Sequence, residues 1–166
     1  MSDAPRPGAD ASPDFVPPWR LRHHHVQSIY PSLPLRRPGV EQRASVLRHA
    51  SREVIVDCGD GVRLLVLVAS QVDVGRPPAN RLAVLLHGWE GSANSLYLLS
   101  LGQKLFDAGY DVARLNLRDH GESHHLNAGI FHSCRIAEVV GAVRDLQRQH
   151  PDKRLVLAGF SLGGNF

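Results

Sequence analysis

A serine between glycines, near the carboxyl end of the sequence, is the side chain best placed for chemistry. Ser161 lies in a G-x-S-x-G pattern, Gly159-Phe160-Ser161-Leu162-Gly163, directly after an apolar run. If a strand turns sharply into a helix here, the residues two before and two after the serine must be small, because larger side chains would collide. Such a turn exposes the hydroxyl and predicts nucleophilic chemistry. A glycine-rich loop at a helix start, or a phosphate-binding turn, would show the same short pattern.

A second glycine-containing loop could supply hydrogen-bond donors to the same reaction. A short apolar run is followed by His87-Gly88-Trp89-Glu90-Gly91-Ser92, and an H-G-x-x-G loop after a strand can turn its backbone amides towards a substrate oxygen. In an acyl-transfer site the donors would be the backbone amides of Trp89 and Leu162, each contributing about 2.7–4 kcal/mol in the transition state. The alternative is a helix N-cap loop, in which Ser92 or Asn94 caps the next helix.

Three polar side chains after the next apolar run resemble the remaining parts of a catalytic triad. Arg118, Asp119 and His120 follow Leu117, and ligand sites of open α/β sheets lie at the carboxyl ends of the strands. His120 precedes Ser161, however, which is opposite to the order Ser, Asp or Glu, His that this kind of site uses. We therefore expect the three side chains to brace their loop through hydrogen bonds and an ion pair.

Two other groups of residues could bind metal or react. His23-His24-His25 are consecutive, so on an extended chain they point in alternating directions, and no cysteine or carboxylate cluster accompanies them. Cys134 has no clear base beside it, which favours a buried or capping role over a nucleophilic one. The sequence therefore predicts neither a metal site nor a cofactor.

The elements that would carry these loops alternate along the sequence. Apolar periodicity predicts a hairpin with its turn at Gly59-Asp60-Gly61, followed by strands that alternate with two helices. Parallel strands joined by crossover helices form a sheet covered on both faces, which places the chain in the α/β class. The predicted strands are 53–57, 62–69, 81–87, 111–117 and 153–159, and the predicted helices are 95–108 and 135–149.

The sequence predicts an organisation in three parts. Residues 1–20 are rich in Pro, Asp and Ala and are predicted to be a disordered lead-in. Residues 21–50 show little periodicity and are predicted to form an arm that packs along a domain. Residues 51–166 are predicted to be the α/β domain.

Composition excludes several classes of protein. The 166 residues suit about one domain, and 43% hydrophobic with 21% charged residues is a globular composition. The longest apolar run, 64–69, is too short to cross a bilayer, and the first residues contain no apolar core of a secretory signal. A net charge of +3 without a long basic block does not indicate nucleic-acid binding. The two cysteines favour a reduced, cytoplasmic location.

The motifs together resemble the α/β-hydrolase superfamily. They are most similar to its YheT and embryogenesis-associated-protein branch, which includes animal ABHD-type lipases. The resemblance covers residues 14–166, and the stretches that carry it are His87–Ser92, Gly159–Asn165, the arm His25–Pro31 with Leu35–Arg37, the loop Gly88–Tyr97, and Phe131–Cys134.

The resemblance implies a serine hydrolase of carboxylic esters. Its candidate substrates are acylglycerols, phospholipids or short-chain esters, and peripheral membrane contact is compatible with such substrates. It makes Ser161 the nucleophile, and Trp89 and Leu162 the oxyanion donors. It also implies an acyltransferase or thioesterase as an alternative on the same scaffold. The segment Arg118–Gly121 departs from the branch's usual pattern and is closer to the general superfamily form.

The resemblance also implies that the triad acid and histidine lie beyond Phe166, where the sequence stops. Residues 51–166 are then expected to be the N-terminal half of the α/β-hydrolase fold, truncated just after the turn at Ser161. We expect such a chain to be inactive alone, or to be a non-catalytic fragment or interaction module. The strand at 155–158 is expected to be an unpaired sheet edge with apolar faces.

Overall fold

The computed structural model describes residues 16–30 and 34–166. Most of the predicted lead-in, residues 1–15, therefore lies outside the described residues. The chain divides into two compact units, the first ending at Arg36 and the second spanning Arg37–Phe166. The described part of the first unit holds a helical turn at Trp19–Leu21, helix α1 at His24–Ile29 and a second turn at Pro34–Arg36.

The second unit is built on a mixed five-stranded sheet with the order β1-β2-β4-β3-β5. β1 and β2 form an antiparallel hairpin, β2 also pairs antiparallel with β4, and β3 runs parallel to both β4 and β5. This confirms the predicted fold class, including the hairpin turn at Gly59-Asp60-Gly61, where all three residues have positive φ. The strands are β1 Ser51–Gly59, β2 Val62–Ala69, β3 Arg81–Leu86, β4 Asp111–Leu115 and β5 Arg154–Gly159.

Helices cover the two faces of this sheet. Because successive residues of a buried strand point to opposite sides, each strand contributes side chains to the cores on both faces. On β3, Val84 faces a core that includes Leu146 of helix α5, whereas Leu85 faces a core that includes Phe106 of helix α4. Two shorter helices precede β1, and a short helix follows β5. The bounds are α2 Arg37–Arg43, α3 Ser45–Ala50, α4 Leu96–Asp107, α5 Ile136–Gln149 and α6 Leu162–Asn165.

Helices α2 and α3 correct the expectation of little periodicity in residues 21–50. The buried residues of these helices and the buried Ala44 between them are spaced by four, three and three positions, which is a helical period. Leu47 enters the core beneath α4. These helices were missed because their apolar stripe is divided between two short elements. The division into 1–20, 21–50 and 51–166 stays a prediction. The buried residues are Val40, Ala44, Leu47 and Ala50.

β5 lies at the edge of the described sheet and pairs with β3 alone. Leu157 in its centre is 56% exposed and Val156 is 37% exposed. The structure therefore agrees with the expectation that this strand forms an edge with apolar side chains. Among the described residues, none of the helices has the length and apolar character needed to pass through a bilayer.

Candidate active site

Ser161 lies on a sharp turn between β5 and α6, with φ 52° and ψ −119°, and its side chain is exposed. The turn is tight enough to require both glycines of the motif. A Cβ on Gly159 would lie 2.1 Å from the carbonyl oxygen of Gly163, and a Cβ on Gly163 would lie 2.5 Å from the carbonyl oxygen of His87. The steric reason given for the G-x-S-x-G pattern is therefore present in the backbone of this chain.

The loop after β3 contacts this turn directly. A Cβ placed on Gly88 would lie 3.2 Å from Ser161 Cβ and 3.1 Å from the carbonyl oxygen of Phe160. The backbone amide of Phe160 also donates to the carbonyl of Leu86, at 3.1 Å. The structure thus brings Ser161 beside Gly88, which immediately precedes Trp89.

The backbone amides of Trp89 and Leu162 have no acceptor among the described residues. Neither donates a hydrogen bond within residues 16–30 and 34–166, whereas the amides of Gly163 and Gly164 donate to the carbonyls of Phe160 and Ser161. A backbone N–H without a protein partner retains its capacity to bind an oxygen. The two amides lie in the loops that meet at Ser161.

Backbone strain is concentrated in the same region. Glu90, Asp119 and Ser161 are non-glycine residues with φ of 53°, 61° and 52°. Each lies in the loop that follows one of the parallel strands β3, β4 and β5, and the carboxyl ends of parallel strands meet at one edge of a sheet. Left-handed conformations at non-glycine residues are costly and are typical of functional sites.

His87 joins the loops after β3 and β4. Its ring is fully buried; Nδ1 donates to the carbonyl of Gly88 at 2.7 Å, and Nε2 accepts from the amide of Leu117 at 3.1 Å. This arrangement requires the neutral ring with its proton on Nδ1, and burial correspondingly lowers the pKa of His87 to about 4. His87 therefore positions the loop that carries Trp89, and neither of its nitrogens is free to act as a base.

The free energy of unfolding should decrease as the pH falls from 6.5 to about 4, the range set by the pKa of His87. Because the pKa of His87 is about 4 in the folded chain and 6.5 without burial, the unfolded chain binds the extra proton between these values. The stabilisation from the neutral ring is complete above pH 6.5 and is lost towards pH 4, at a cost of about 3 kcal/mol. His87→Gln should flatten this dependence in urea unfolding at several pH values; an unchanged slope would contradict it.

Arg114 and Asn116 bind the loop after β3 at Ala93. Arg114 is fully buried; its Nη1 donates to the carbonyl of Ala93 at 2.8 Å, and its Nη2 donates to Ser51 Oγ at 2.9 Å. Asn116 Oδ1 accepts from the amide of Ala93 at 2.8 Å. Burial lowers the pKa of Arg114 to about 10, so the guanidinium stays charged at neutral pH. The sequence analysis did not identify either residue.

The side chains that resembled triad parts brace their loop, as expected. Arg118 forms a buried bidentate pair with Glu138 of α5, with Nε 3.1 Å from both carboxylate oxygens and Nη2 2.8 Å from one of them. Asp119 contacts His124, and His120 Nδ1 contacts the carbonyl of Arg118 at 2.7 Å. The sequence analysis missed Glu138, whose hydrogen bond raises the pKa of Arg118.

The capping role suggested for Ser92 or Asn94 and the buried or capping role suggested for Cys134 are both wrong. The N-cap of α4 is Ser95, which makes no side-chain capping bond, so neither Ser92 nor Asn94 caps this helix. Cys134 is exposed rather than buried, and the N-cap of α5 is the residue after it.

The three consecutive histidines 23–25 are exposed, and their rings lie close together. The rings of His23 and His24 stack with centroids 4.5 Å apart, whereas those of His24 and His25 are tilted by 53°. The expectation that they point in alternating directions on an extended chain is wrong, because His24 and His25 begin helix α1. No group of three or more potential ligands for a metal ion occurs within the part of the chain that the structure describes.

Comparison with known proteins identifies the fold. Residues 83–166, about half of the chain, match the family model described as the alpha/beta hydrolase fold. A serine hydrolase without a lid from Xanthomonas campestris is 27% identical with a TM-score of 0.52, and the match covers 68% of this chain and 51% of that one. An esterase from Pyrococcus furiosus is 24% identical with a TM-score of 0.58, over 68% and 42% of the two chains.

A bacterial membrane phospholipase A is 21% identical with a TM-score of 0.51, and its match covers 84% of this chain and 40% of that protein. The chain therefore spans about half the length, or less, of these three solved structures. No curated protein sequence matches it. The matched region contains the loop after β3, the turn at Ser161, all of β5 and most of β3. The chain belongs to the alpha/beta hydrolase fold family.

Proposed function

We propose that Ser161 is the nucleophile of a serine hydrolase that cleaves carboxylic esters through an acyl-enzyme. The observation that carries this proposal is the exposed, strained Ser161 held against Gly88 on the loop after β3. The backbone amides of Trp89 and Leu162 would bind the oxyanion, and their lack of acceptors in the described chain supports that role. One such donor typically contributes about 2.7–4 kcal/mol to the transition state.

The reaction would proceed in two steps. Ser161 Oγ attacks the carbonyl carbon of the ester, its proton passes to a general base and then to the leaving alkoxide, and the alcohol departs. Water then attacks the acyl-enzyme, which releases the carboxylic acid and restores the serine. The developing negative charge lies on the carbonyl oxygen in both steps, so the same two amides serve both.

The described residues show no general base hydrogen-bonded to Ser161. No histidine makes a hydrogen bond to Ser161 within residues 16–30 and 34–166, and both ring nitrogens of His87 are engaged. Without a base, Ser161 is a neutral alcohol and a weak nucleophile. We therefore propose that the acid and the histidine are contributed by residues outside this chain, and that the chain alone is close to inactive.

The proposed substrates are acylglycerols, phospholipids or short-chain esters, as in the YheT and embryogenesis-associated-protein branch. An apolar rim beside the site supports an acyl or alkyl group there. Trp89 is 65% exposed and meets Phe131 edge to face at 6.5 Å between ring centroids, and Phe131 packs in the same manner on His120 at 4.8 Å. The two cysteines, both free, support a cytoplasmic location.

Labelling with a fluorophosphonate probe tests the identity of the nucleophile. We expect slow labelling that mass spectrometry locates at Ser161, that is lost in Ser161→Ala, and that is retained in the control Ser100→Ala, which removes an exposed hydroxyl from α4. Added imidazole should accelerate the labelling, because it supplies a base of the missing type. Hydrolysis of p-nitrophenyl butyrate should not exceed roughly 10³–10⁴ over water, the level that an oxyanion site alone retains.

Two results would count against the proposal. If Ser161 were labelled no faster than the exposed Ser100, it would not be an activated position. If labelling occurred in a rapid burst without imidazole and disappeared in Ser161→Ala, the chain would contain its own base, and the incomplete triad would be the part in error.

A further inference from the structure

Tyr97 contacts both loops of the candidate site and has no part in the ester hydrolysis proposed for Ser161. It is the second residue of α4. Its hydroxyl oxygen accepts from the backbone amide of Gly88 at 3.1 Å, and its ring packs on that of Phe160 with 4.7 Å between the centroids. Gly88 immediately precedes Trp89, and Phe160 immediately precedes Ser161. One side chain therefore joins the neighbours of the proposed oxyanion donor and of the proposed nucleophile.

A closed turn brings the start of α4 back to this loop. The backbone amide of Ser92 donates to Ser95 Oγ at 2.9 Å, and the amide of Ser95 donates to the carbonyl of Ser92 at 3.0 Å. The space around the Tyr97 hydroxyl is then fully used, because a Cβ on Gly91 would lie 2.5 Å from it. Tyr97 thus supplies a steric reason for the second glycine of the H-G-x-x-G pattern.

Gly88 is held at both its amide and its carbonyl. Tyr97 binds the amide, whereas the carbonyl accepts from His87 Nδ1 at 2.7 Å and from the amide of Gly91 at 3.0 Å. The carbonyl of Gly88 and the amide of Trp89 belong to one peptide plane, and in a trans peptide they point in opposite directions. These hydrogen bonds therefore fix the direction in which the Trp89 amide points.

We infer that Tyr97 is a positioning residue, whose hydroxyl holds Gly88 so that the Trp89 amide is directed at the oxyanion formed on Ser161. This inference rests on the proposed ester hydrolysis. Without the hydroxyl, the Gly88 amide loses its acceptor, and the peptide that carries the Trp89 amide is held from its carbonyl side only. The transition state then loses more stabilisation than the bound substrate does, because the negative charge on the oxygen develops only in the transition state.

Labelling of the intact chain with a fluorophosphonate probe in the presence of imidazole tests this role. The readouts are the maximal labelling rate at Ser161 and the probe concentration that gives half of it. Tyr97→Phe keeps the ring on Phe160 and removes only the acceptor. We expect the maximal rate to fall at least about tenfold, short of the roughly 10²–10³ that loss of a whole oxyanion donor costs. The half-saturating concentration should stay within about twofold, because initial binding does not use the oxyanion contact.

Tyr110→Phe is the matched control for this substitution. The Tyr110 hydroxyl likewise accepts one hydrogen bond, from Arg81 Nη1 at 2.8 Å. Arg81 begins β3, however, so this bond lies at the opposite end of the strand from Gly88. We therefore expect Tyr110→Phe to be labelled at the rate of the parent chain.

Amide hydrogen exchange followed by NMR gives a readout that does not depend on catalysis. The Gly88 amide should exchange at least about tenfold faster in Tyr97→Phe than in the parent chain, because its hydrogen bond to the Tyr97 hydroxyl is lost. The resonance of the Trp89 amide should shift in the same variant. Both signals should be unchanged in Tyr110→Phe.

Gly91→Ala tests the same contact from the other side. The added Cβ would displace the Tyr97 hydroxyl, so this variant should also slow labelling at least about tenfold. Adding Tyr97→Phe to it should slow labelling by no more than about threefold further, because both changes break the same hydrogen bond and their effects are not additive.

Three results would overturn the inference: labelling of Tyr97→Phe at the parental rate, equal slowing by Tyr97→Phe and Tyr110→Phe, or an unchanged exchange rate of the Gly88 amide in Tyr97→Phe. Failure of the proposed ester hydrolysis would look different, because the parent chain itself would then label Ser161 no faster than the exposed Ser100. The exchange of the Gly88 amide and the resonance of the Trp89 amide would still decide whether Tyr97 fixes the loop.

Discussion

Replacing Gly159 with alanine is expected to lower the free energy of unfolding by about 3 kcal/mol. The added Cβ would lie 2.1 Å from the carbonyl oxygen of Gly163, 2.3 Å from its carbonyl carbon and 2.5 Å from the amide nitrogen of Gly164. All three atoms belong to the backbone, so no side-chain rotation can relieve the contact. Relief requires β5 and α6 to separate, which would also displace Ser161. Urea unfolding measures the loss.

Gly39→Ala is the matched control for this substitution. Gly39 lies in α2, and its added Cβ would meet only the flexible end of Arg43, at 3.5 Å. Alanine is favoured over glycine inside a helix by about 1 kcal/mol, so this variant should be as stable as the parent chain or slightly more so. A Gly159→Ala chain with the stability of the parent would mean that the turn at Ser161 is more open than described.

The turn at Ser161 could be predicted because its constraint is local. Gly159 and Gly163 contact each other across a four-residue separation, so the requirement for small residues is visible in a short stretch of sequence. The contact between the loop after β3 and the turn after β5 could be predicted only by inferring that these two strands are neighbours in the sheet. Leu86 pairs with Gly159 in the parallel register of β3 and β5, and the loops that follow therefore emerge side by side.

The buried carboxylates of α5 could not be predicted by following the apolar residues of that helix. Glu138 and Asp145 lie four and three positions from the buried Ala142, on one face of the helix. Their burial depends on partners in distant segments: Glu138 pairs with Arg118, and Asp145 accepts from the backbone amide of Asp57 at 3.0 Å. A periodic pattern reports which residues share a face, but it does not identify the partners that compensate a buried charge.

The roles of His87 and Arg114 were missed for a related reason. The sequence analysis considered His87 only as part of a loop motif and took β4 as a simple apolar run. In the fold, His87 accepts from the amide of Leu117, and Arg114 binds the carbonyl of Ala93. Both contacts cross between elements that are 20 or more positions apart in sequence. They fix the loop that carries Trp89, so the candidate site depends on residues that carry no catalytic signature.

Glu138→Ala should lower the free energy of unfolding by about 3–5 kcal/mol, because it leaves Arg118 buried without its counter-charge. Arg118 and Glu138 are 6% and 7% exposed, and Arg135 donates to the same carboxylate at 2.8 Å. The network attaches the loop after β4 to α5. Urea unfolding near neutral pH measures the effect, and intrinsic fluorescence and circular dichroism show whether the variant still folds.

Two further variants identify the uncompensated charge as the cause. Glu41→Ala removes a carboxylate that pairs with Arg37 and Arg48 at partly exposed positions, and it should cost no more than about 1 kcal/mol. The double replacement Arg118→Met with Glu138→Leu removes both buried charges and should recover much of the stability that Glu138→Ala loses, since apolar side chains of similar volume can replace a buried pair. If the double variant were less stable than Glu138→Ala, the hydrogen bond from Arg118 to the carbonyl of Ala128 would have to be the main contribution, and the ion pair a minor one.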